Sequence, residues 1–159
     1  MSRHGRSGGG QLAGVTQYQS GQPFTVLTGI DTNGNGSGGD RANLASGTIT
    51  WSDGQKEFTN DGKYDVPRGA NGLPLLYSLG NGTGARNAER GAPFWRTDLS
   101  LLKRFEFDRV RLTLRADALN AFNQDSYGIP VANLSSPSFG QNTNNWGRRV
   151  ITLSAKFSF

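Results

Sequence analysis

The sequence predicts an all-β protein built on long antiparallel strands in an up-and-down order, and three observations carry that prediction. Apolar and polar residues alternate through Phe94–Phe107 and again through Val110–Phe122. The same alternation ends the chain, with Ile151, Leu153, Ala155, Phe157 and Phe159 apolar and Thr152, Ser154, Lys156 and Ser158 polar between them. That period of two belongs to a strand with one dry and one wet face. The rest is polar: 34% of the 159 residues are hydrophobic, 23 are glycine, and mean hydropathy is −0.55. Such a composition fits partial disorder or long polar loops. Apolar residues confined to a few alternating segments favour the loops.

Taken in order, Met1–Gly10 is basic, glycine-rich and flexible by composition. Gln11–Phe24 reads as a first strand, although Leu12, Val15 and Tyr18 share no alternation and Gln22-Pro23 ends or kinks it. The polar region 28–93 opens on the Gly/Asn tract Thr28–Asn43. Within it, Ile49–Trp51 and Lys56–Phe58 suggest a short hairpin around Asp53-Gly54, and Leu73–Leu79 is apolar but broken by Pro74. A connection of this length is foreign to a compact soluble domain. It is ordinary in the outer loops of membrane barrels.

The hairpin 94–122 is the clearest element. A two-residue turn at Asp108-Arg109 sets Phe107 opposite Val110, Phe105 opposite Leu112, Leu101 opposite Ala116, Leu99 opposite Ala118 and Trp95 opposite Phe122. Glu106 then meets Arg111, an opposite-charge pair. A one-residue slip would put arginine against leucine throughout. Trp95 to Phe105, at ~3.3 Å per residue and a tilt of ~45°, spans roughly 23 Å along a membrane normal. This matches an apolar band bounded by aromatics. Lys103 lies toward one interface, where its stem can snorkel.

The alternation therefore favours lipid over a soluble core. The lipid-facing set is Trp95, Leu99, Leu101, Phe105, Leu112, Leu114, Phe122, Ile151, Leu153 and Phe157. Arg96, Asp98, Glu106, Arg111, Arg115 and Asp117 form the lumen-facing set. After a second polar loop at 123–146, anchored by Ile129-Pro130, Pro137 and Trp146, the closing strand fills 147–159. About four long strands result, where a closed barrel needs at least ~8. The fold expected is thus a fragment of an antiparallel transmembrane β-barrel.

Other functions find little footing. Net charge is +5, but Arg and Lys are scattered without a dense block or aromatic interleaving, so nucleic acid is not an expected partner. Without cysteine there is no disulfide framework or thiolate chemistry. No run approaches the ~18 apolar residues of a membrane helix. No apolar signal-peptide region follows the basic start. Asp31, Asn33 and Asn35, with Gly36, match the opening of a calcium loop, yet Ala42 stands where the closing carboxylate belongs. The tract reads as a flexible loop or a weak calcium site. Gly34–Gly39 spells G-x-G-x-x-G outside a strand–helix context and reads as composition. The single histidine, His4, leaves no room for a His-dependent triad or zinc site. Neither enzymatic activity nor a cofactor is expected. A soluble β-rich module binding carbohydrate or calcium is the alternative.

Five stretches in order resemble the C-terminal barrel of TonB-dependent outer-membrane receptors of the Oar-like type. They are Gln17–Val26, Gly84–Gly91 continuing through Trp95–Phe105, Arg115–Asn123, Leu134–Gly140, and the terminal strand. The resemblance covers about Gln11–Phe159. It implies that Phe157 and Phe159 are the signal read by the barrel-assembly machinery. It also implies an outer-membrane location in contact with lipid, a periplasmic Asp108-Arg109 turn, and extracellular loops at 28–93 and 123–146. The family's plug domain, through which the TonB complex acts, has no counterpart here. The chain is accordingly expected to be the C-terminal piece of a receptor, from a truncated or mis-started gene.

Overall fold

Alternation becomes long strands wherever it is sustained. The computed structural model describes residues 8–52, 54–75, 82–107 and 109–159. The expectations on the start before Gly8 (His4 included), on Asp53, on residues 76–81 and on Asp108 lie outside them. Among the described residues twelve strands follow in order: β1 (Gly10–Gln19), β2 (Pro23–Phe24), β3 (Asn43–Leu44), β4 (Thr48–Ser52), β5 (Glu57–Asp61), β6 (Tyr64–Asp65), β7 (Glu89–Arg90), β8 (Phe94–Phe107), β9 (Val110–Leu119), β10 (Ser126–Tyr127), β11 (Asn145–Trp146) and β12 (Val150–Ser158). No described residue is helical.

The four long strands form one antiparallel sheet in the order β1-β8-β9-β12. The β8–β9 register has Phe107 opposite Val110, Phe105 opposite Leu112, Leu101 opposite Ala116 and Glu106 opposite Arg111, as the turn and alternation require. Among the described residues the sheet does not close, because β1 and β12 each keep one unpaired edge. Two expectations are corrected. The ladder already includes Gly10, opposite Lys103, although composition suggested a flexible start to that point. At the far end, β9 stops at Leu119 and does not run on to Phe122. Asn120 turns into the left-handed region (φ 51°), and the Ala121 N–H then bonds Thr97 O at 2.8 Å, one step out of register. Trp95 and Phe122 are not ladder partners, yet their rings still meet, with centroids 6.0 Å apart.

The chain divides into two compact units, of which this sheet, with residues to Ser126 and from Trp146, is one. The other comprises Ser20–Pro93 and Tyr127–Asn145, and it holds a small core that alternation does not reveal. Phe24, Val26, Ala42, Phe58 and Tyr64 are buried there, with Ile49, Trp51, Ala132, Leu134 and Phe139 packed around them. Strands β4 and β5 make the expected hairpin, with Trp51 opposite Phe58, while Lys56 stays in the turn. Short ladders β2–β7 and β3–β6 tie the remainder. The stretch Leu134–Gly140 is fixed by its end: the Phe58 N–H donates to Gly140 O at 2.9 Å. A side chain on Gly140, whose φ is +80°, would strike Phe58 O. Tyr64 Oη donates to Glu89 Oε1 at 2.6 Å, and Lys63 Nζ donates to the same oxygen at 2.7 Å. Burial first, and the Glu89 carboxylate second, push the Tyr64 phenol well above its ordinary value.

Candidate functional site

The functional surface of the first unit is the sheet itself, because its two faces differ along every strand. On one face, Leu12, Leu101, Ala116 and Leu153 form a row across all four strands. The row toward the turn holds Lys103, Leu114 and Ala155, and beyond it lie Phe105, Leu112 and Phe157. In the other direction come Gly14, Leu99, Ala118 and Ile151, then Thr16 and Thr97, whose hydroxyls are 3.0 Å apart, and finally Tyr18 opposite Trp95. This face collects all ten residues proposed from sequence as lipid-facing. It adds Leu12 and Tyr18, and it sends Val15 to the other side, opposite Asp98. The face is bare: Leu12 is 73% exposed and Leu153 76%. The Lys103 ammonium lies 6.0 Å from the centre of the Phe105 ring, a residue on its turn side.

The opposite face carries the six charged residues proposed for the lumen. Arg96 Nε bonds Asp98 Oδ1 at 2.8 Å, Arg115 Nε lies 2.8 Å from Asp117 Oδ2, and Arg111 Nε lies 3.5 Å from Glu106 Oε1. These exposed pairs contribute little stability each. With Arg104 and Lys156 on the same face, they make that side polar and net positive, and among the described residues no acid, base and nucleophile converge there.

Asn120, which alternation places on the apolar side of the returning strand, instead lies past the end of β9 and organises the end of the sheet away from the turn. It is 2% exposed. Its backbone N–H donates to Asp98 Oδ1 at 2.8 Å, its Oδ1 accepts from the Gln124 N–H at 2.9 Å, and its Nδ2 donates to Gln124 O at 2.7 Å and to Gly147 O. Nearby, Asn123 Oδ1 accepts the Arg149 N–H at 3.1 Å. One short amide thus fixes both the departure from β9 and the entry to β12. Asparagines spaced three apart after a strand were the available signal, since asparagine tolerates positive φ and caps its own turn. Asn120→Ala leaves buried partners unbonded and puts a residue without asparagine's tolerance of the left-handed region at φ > 0. A loss of about 2 kcal/mol is expected from urea titration of the detergent-refolded protein. Asn120→Gly relieves the backbone but not the lost bonds, and should recover only part of it.

The candidate calcium loop belongs to the second unit and is a capped turn, not an open loop. Asp31 Oδ1 accepts the N–H groups of Gly34 and Asn35, and its Oδ2 accepts that of Gly36 at 2.7 Å. Asn33 Oδ1 and Asn35 Oδ1 accept the N–H groups of Asn35 and Ser37. Asp40 is buried and accepts the Thr32 N–H and hydroxyl, each at 2.7 Å, the Asn33 N–H at 3.0 Å and the Asn33 side-chain amide at 2.6 Å. Among the described residues, no group of three or more His, Cys, Asp or Glu side chains comes together.

The Thr32 hydroxyl, then the Thr32 and Asn33 N–H groups, hold the Asp40 carboxyl below its ordinary 3.8, against the opposing effect of burial. A depressed folded value means that the contribution is complete above about 3.8 and fades as pH falls through the lowered value. The Thr32 and Asn33 amide resonances should therefore titrate with a midpoint under 3.8. In Asp40→Asn that transition should vanish, with faster exchange at both amides. A midpoint at or above 3.8 would contradict the cap.

An antiparallel sheet with strands of up to 14 residues, one continuous apolar face and one ion-paired face is a β-barrel wall of the outer-membrane class. The chain belongs to the outer membrane beta barrel domain family, which it matches over residues 6–152. That membership disfavours the soluble-module alternative. No curated protein and no solved structure matches the chain at a significant level.

Proposed function

We propose that this chain forms the C-terminal barrel wall and outer loops of a TonB-dependent receptor of the Oar-like type. The observation that carries the reading is the largely apolar face that spans four strands, interrupted by Lys103 and the Thr16–Thr97 pair, and left exposed. A contiguous exposed face of this kind needs a nonaqueous neighbour. In this reading Trp95, Leu99, Leu101, Phe105, Leu112, Leu114, Phe122, Ile151, Leu153 and Phe157 meet lipid. Arg96, Asp98, Glu106, Arg111, Arg115 and Asp117 line a wet lumen, and the second unit contributes to ligand capture outside the cell. Phe157 and Phe159 present the assembly signal to the barrel-assembly machinery. The TonB complex acts through a plug domain on other parts of the receptor. The chain itself performs no chemistry; its role is wall and binding surface.

The membrane part is tested by purification. Recovery in inclusion bodies, with refolding only in detergent, is expected; a monodisperse monomer without detergent overturns it. The receptor part is tested in cells that express the whole protein to which this wall belongs. Co-purification with TonB and energised uptake lost on TonB deletion are expected; TonB-independent behaviour overturns that part alone.

A further inference from the structure

Asparagine followed by glycine is the junction most open to deamidation. The glycine amide nitrogen, once deprotonated, attacks the asparagine Cγ, and the absent side chain lets the backbone reach that geometry. A C–N bond closes a succinimide, and the side-chain amide leaves as ammonia, taking back the proton that the nitrogen gave up. Water then opens the ring to aspartate or isoaspartate. The sequence holds four such junctions. Three lie among the described residues, Asn33-Gly34, Asn35-Gly36 and Asn71-Gly72, and all three belong to the second unit. Locally they are alike. Each glycine is exposed and sits at positive φ (77°, 83° and 74°). Each asparagine Oδ1 accepts the N–H two residues on, from Asn35 at 3.0 Å, Ser37 at 2.8 Å and Leu73 at 3.1 Å. They differ in what holds the attacking nitrogen. The Gly34 and Gly36 N–H groups donate to the two oxygens of Asp31, each at 2.7 Å. The Gly72 N–H donates to the neutral Gly69 carbonyl at 2.9 Å, and Arg68 Nη1 donates to Gly72 O at 3.0 Å.

We propose that Asn71 is a deamidation site of this protein and that the Asp31 carboxylate bars the same reaction at Asn33 and Asn35. The deciding step is removal of the glycine N–H proton. A carboxylate acceptor opposes it twice, through a charge-assisted hydrogen bond and through repulsion of the anion that would form. At Gly72 the acceptor carries no charge, and the guanidinium beside it favours the anion. Asp65 binds that guanidinium through Nε and Nη2, which leaves Nη1 to Gly72. Exposed turn hydrogen bonds also open readily. The consequences of conversion differ as well. At Asn71 the new carboxylate falls beside Arg68. At Asn33 it would replace the amide that donates to Asp40 Oδ1 at 2.6 Å, setting two carboxylates against each other at the buried Asp40 cap. The calcium-like spacing of Asp31, Asn33 and Asn35 thereby keeps the amides of its own tract intact. Both turns lie in the second unit, and neither depends on the solvent that the sheet meets.

The test ages the full chain, refolded in detergent, in mildly alkaline buffer and locates the gain of mass by peptide mapping with fragment-ion sequencing. In urea, where local sequence alone sets the rate, the three junctions should react alike. In the folded chain Asn71 should convert first, with Asn33 and Asn35 about tenfold slower, a modest effect for a neighbouring charge. Asp31→Asn should bring Asn33 and Asn35 up to the rate of Asn71 and leave Asn71 unchanged. Asp40→Asn loosens the other half of the tract but keeps Asp31, and should leave both asparagines slow. Equal rates at the three junctions of the folded chain overturn the proposal. So does an Asn71 that stays intact while the chain in urea reacts fully, or an Asp31→Asn variant that releases neither asparagine. Equal release by Asp40→Asn and Asp31→Asn assigns the protection to the order of the loop as a whole and overturns the role given to Asp31.

Discussion

Phe58→Ala is expected to unfold most of the second unit, at a cost of about 3–5 kcal/mol. Phe58 is 5% exposed and is the hub of the aromatic cluster. It stacks on Phe24 at 6.0 Å, and Trp51 and Phe139 both approach it at 5.1 Å, the latter edge-on at 87°. Removing the ring takes away the partner of three other rings and opens a cavity in a core with few other large side chains to fill it. Its backbone N–H, which the substitution keeps, donates to Gly140 O, so the 132–140 segment loses the ring that Phe139 packs on but not that hydrogen bond. Leu44→Ala, at a half-exposed position of the same unit, should shift stability by less than ~0.5 kcal/mol. Limited proteolysis of residues 20–93 and near-ultraviolet circular dichroism report the difference. Equal resistance in the two variants would mean that the cluster is not the core it resembles.

That core also marks where reading the sequence stopped short. The hairpin register was legible because one constraint, the turn at 108–109, fixed every later pair, and alternation checked each of them. No comparable constraint links Phe24, Phe58, Tyr64 and Phe139. They are separated by polar tracts; Phe24, Phe58 and Tyr64 sit in strands of two to five residues and Phe139 in a turn. The β4–β5 hairpin of Phe58 is local, but the β2–β7 and β3–β6 ladders join residues far apart in sequence. Periodicity needs several turns of a pattern to register, and a two-residue strand supplies none. The glycine–asparagine tract misled for a related reason. Its order comes from side-chain oxygens binding backbone N–H groups within a few residues, which composition alone counts as looseness. Asn120 shows the limit within the clear part: alternation carried β9 on to Phe122, and only a left-handed backbone ended it at Leu119.

Leu153→Arg separates the two solvents that the apolar face has been offered. Leu153 lies in the central row with Leu12, Leu101 and Ala116, midway between the aromatic ends. If that face met water, a residue already 76% exposed would accept arginine within ~0.5 kcal/mol. Facing lipid, the same substitution places a guanidinium near the bilayer midplane and costs about 2–4 kcal/mol. The cost should fall to ~0–1 kcal/mol for Tyr18→Arg, where the side chain can reach the interface. Thr152→Arg, one residue from Leu153 but on the ion-paired face, should be nearly silent. Urea titration of protein refolded into phospholipid vesicles gives the ordering. A penalty that is large at Leu153, small at Tyr18 and absent at Thr152 requires hydrocarbon on that side of the sheet and water on the other. A flat response along β12 would leave the bare face without its lipid, and the wall assignment would fail with it.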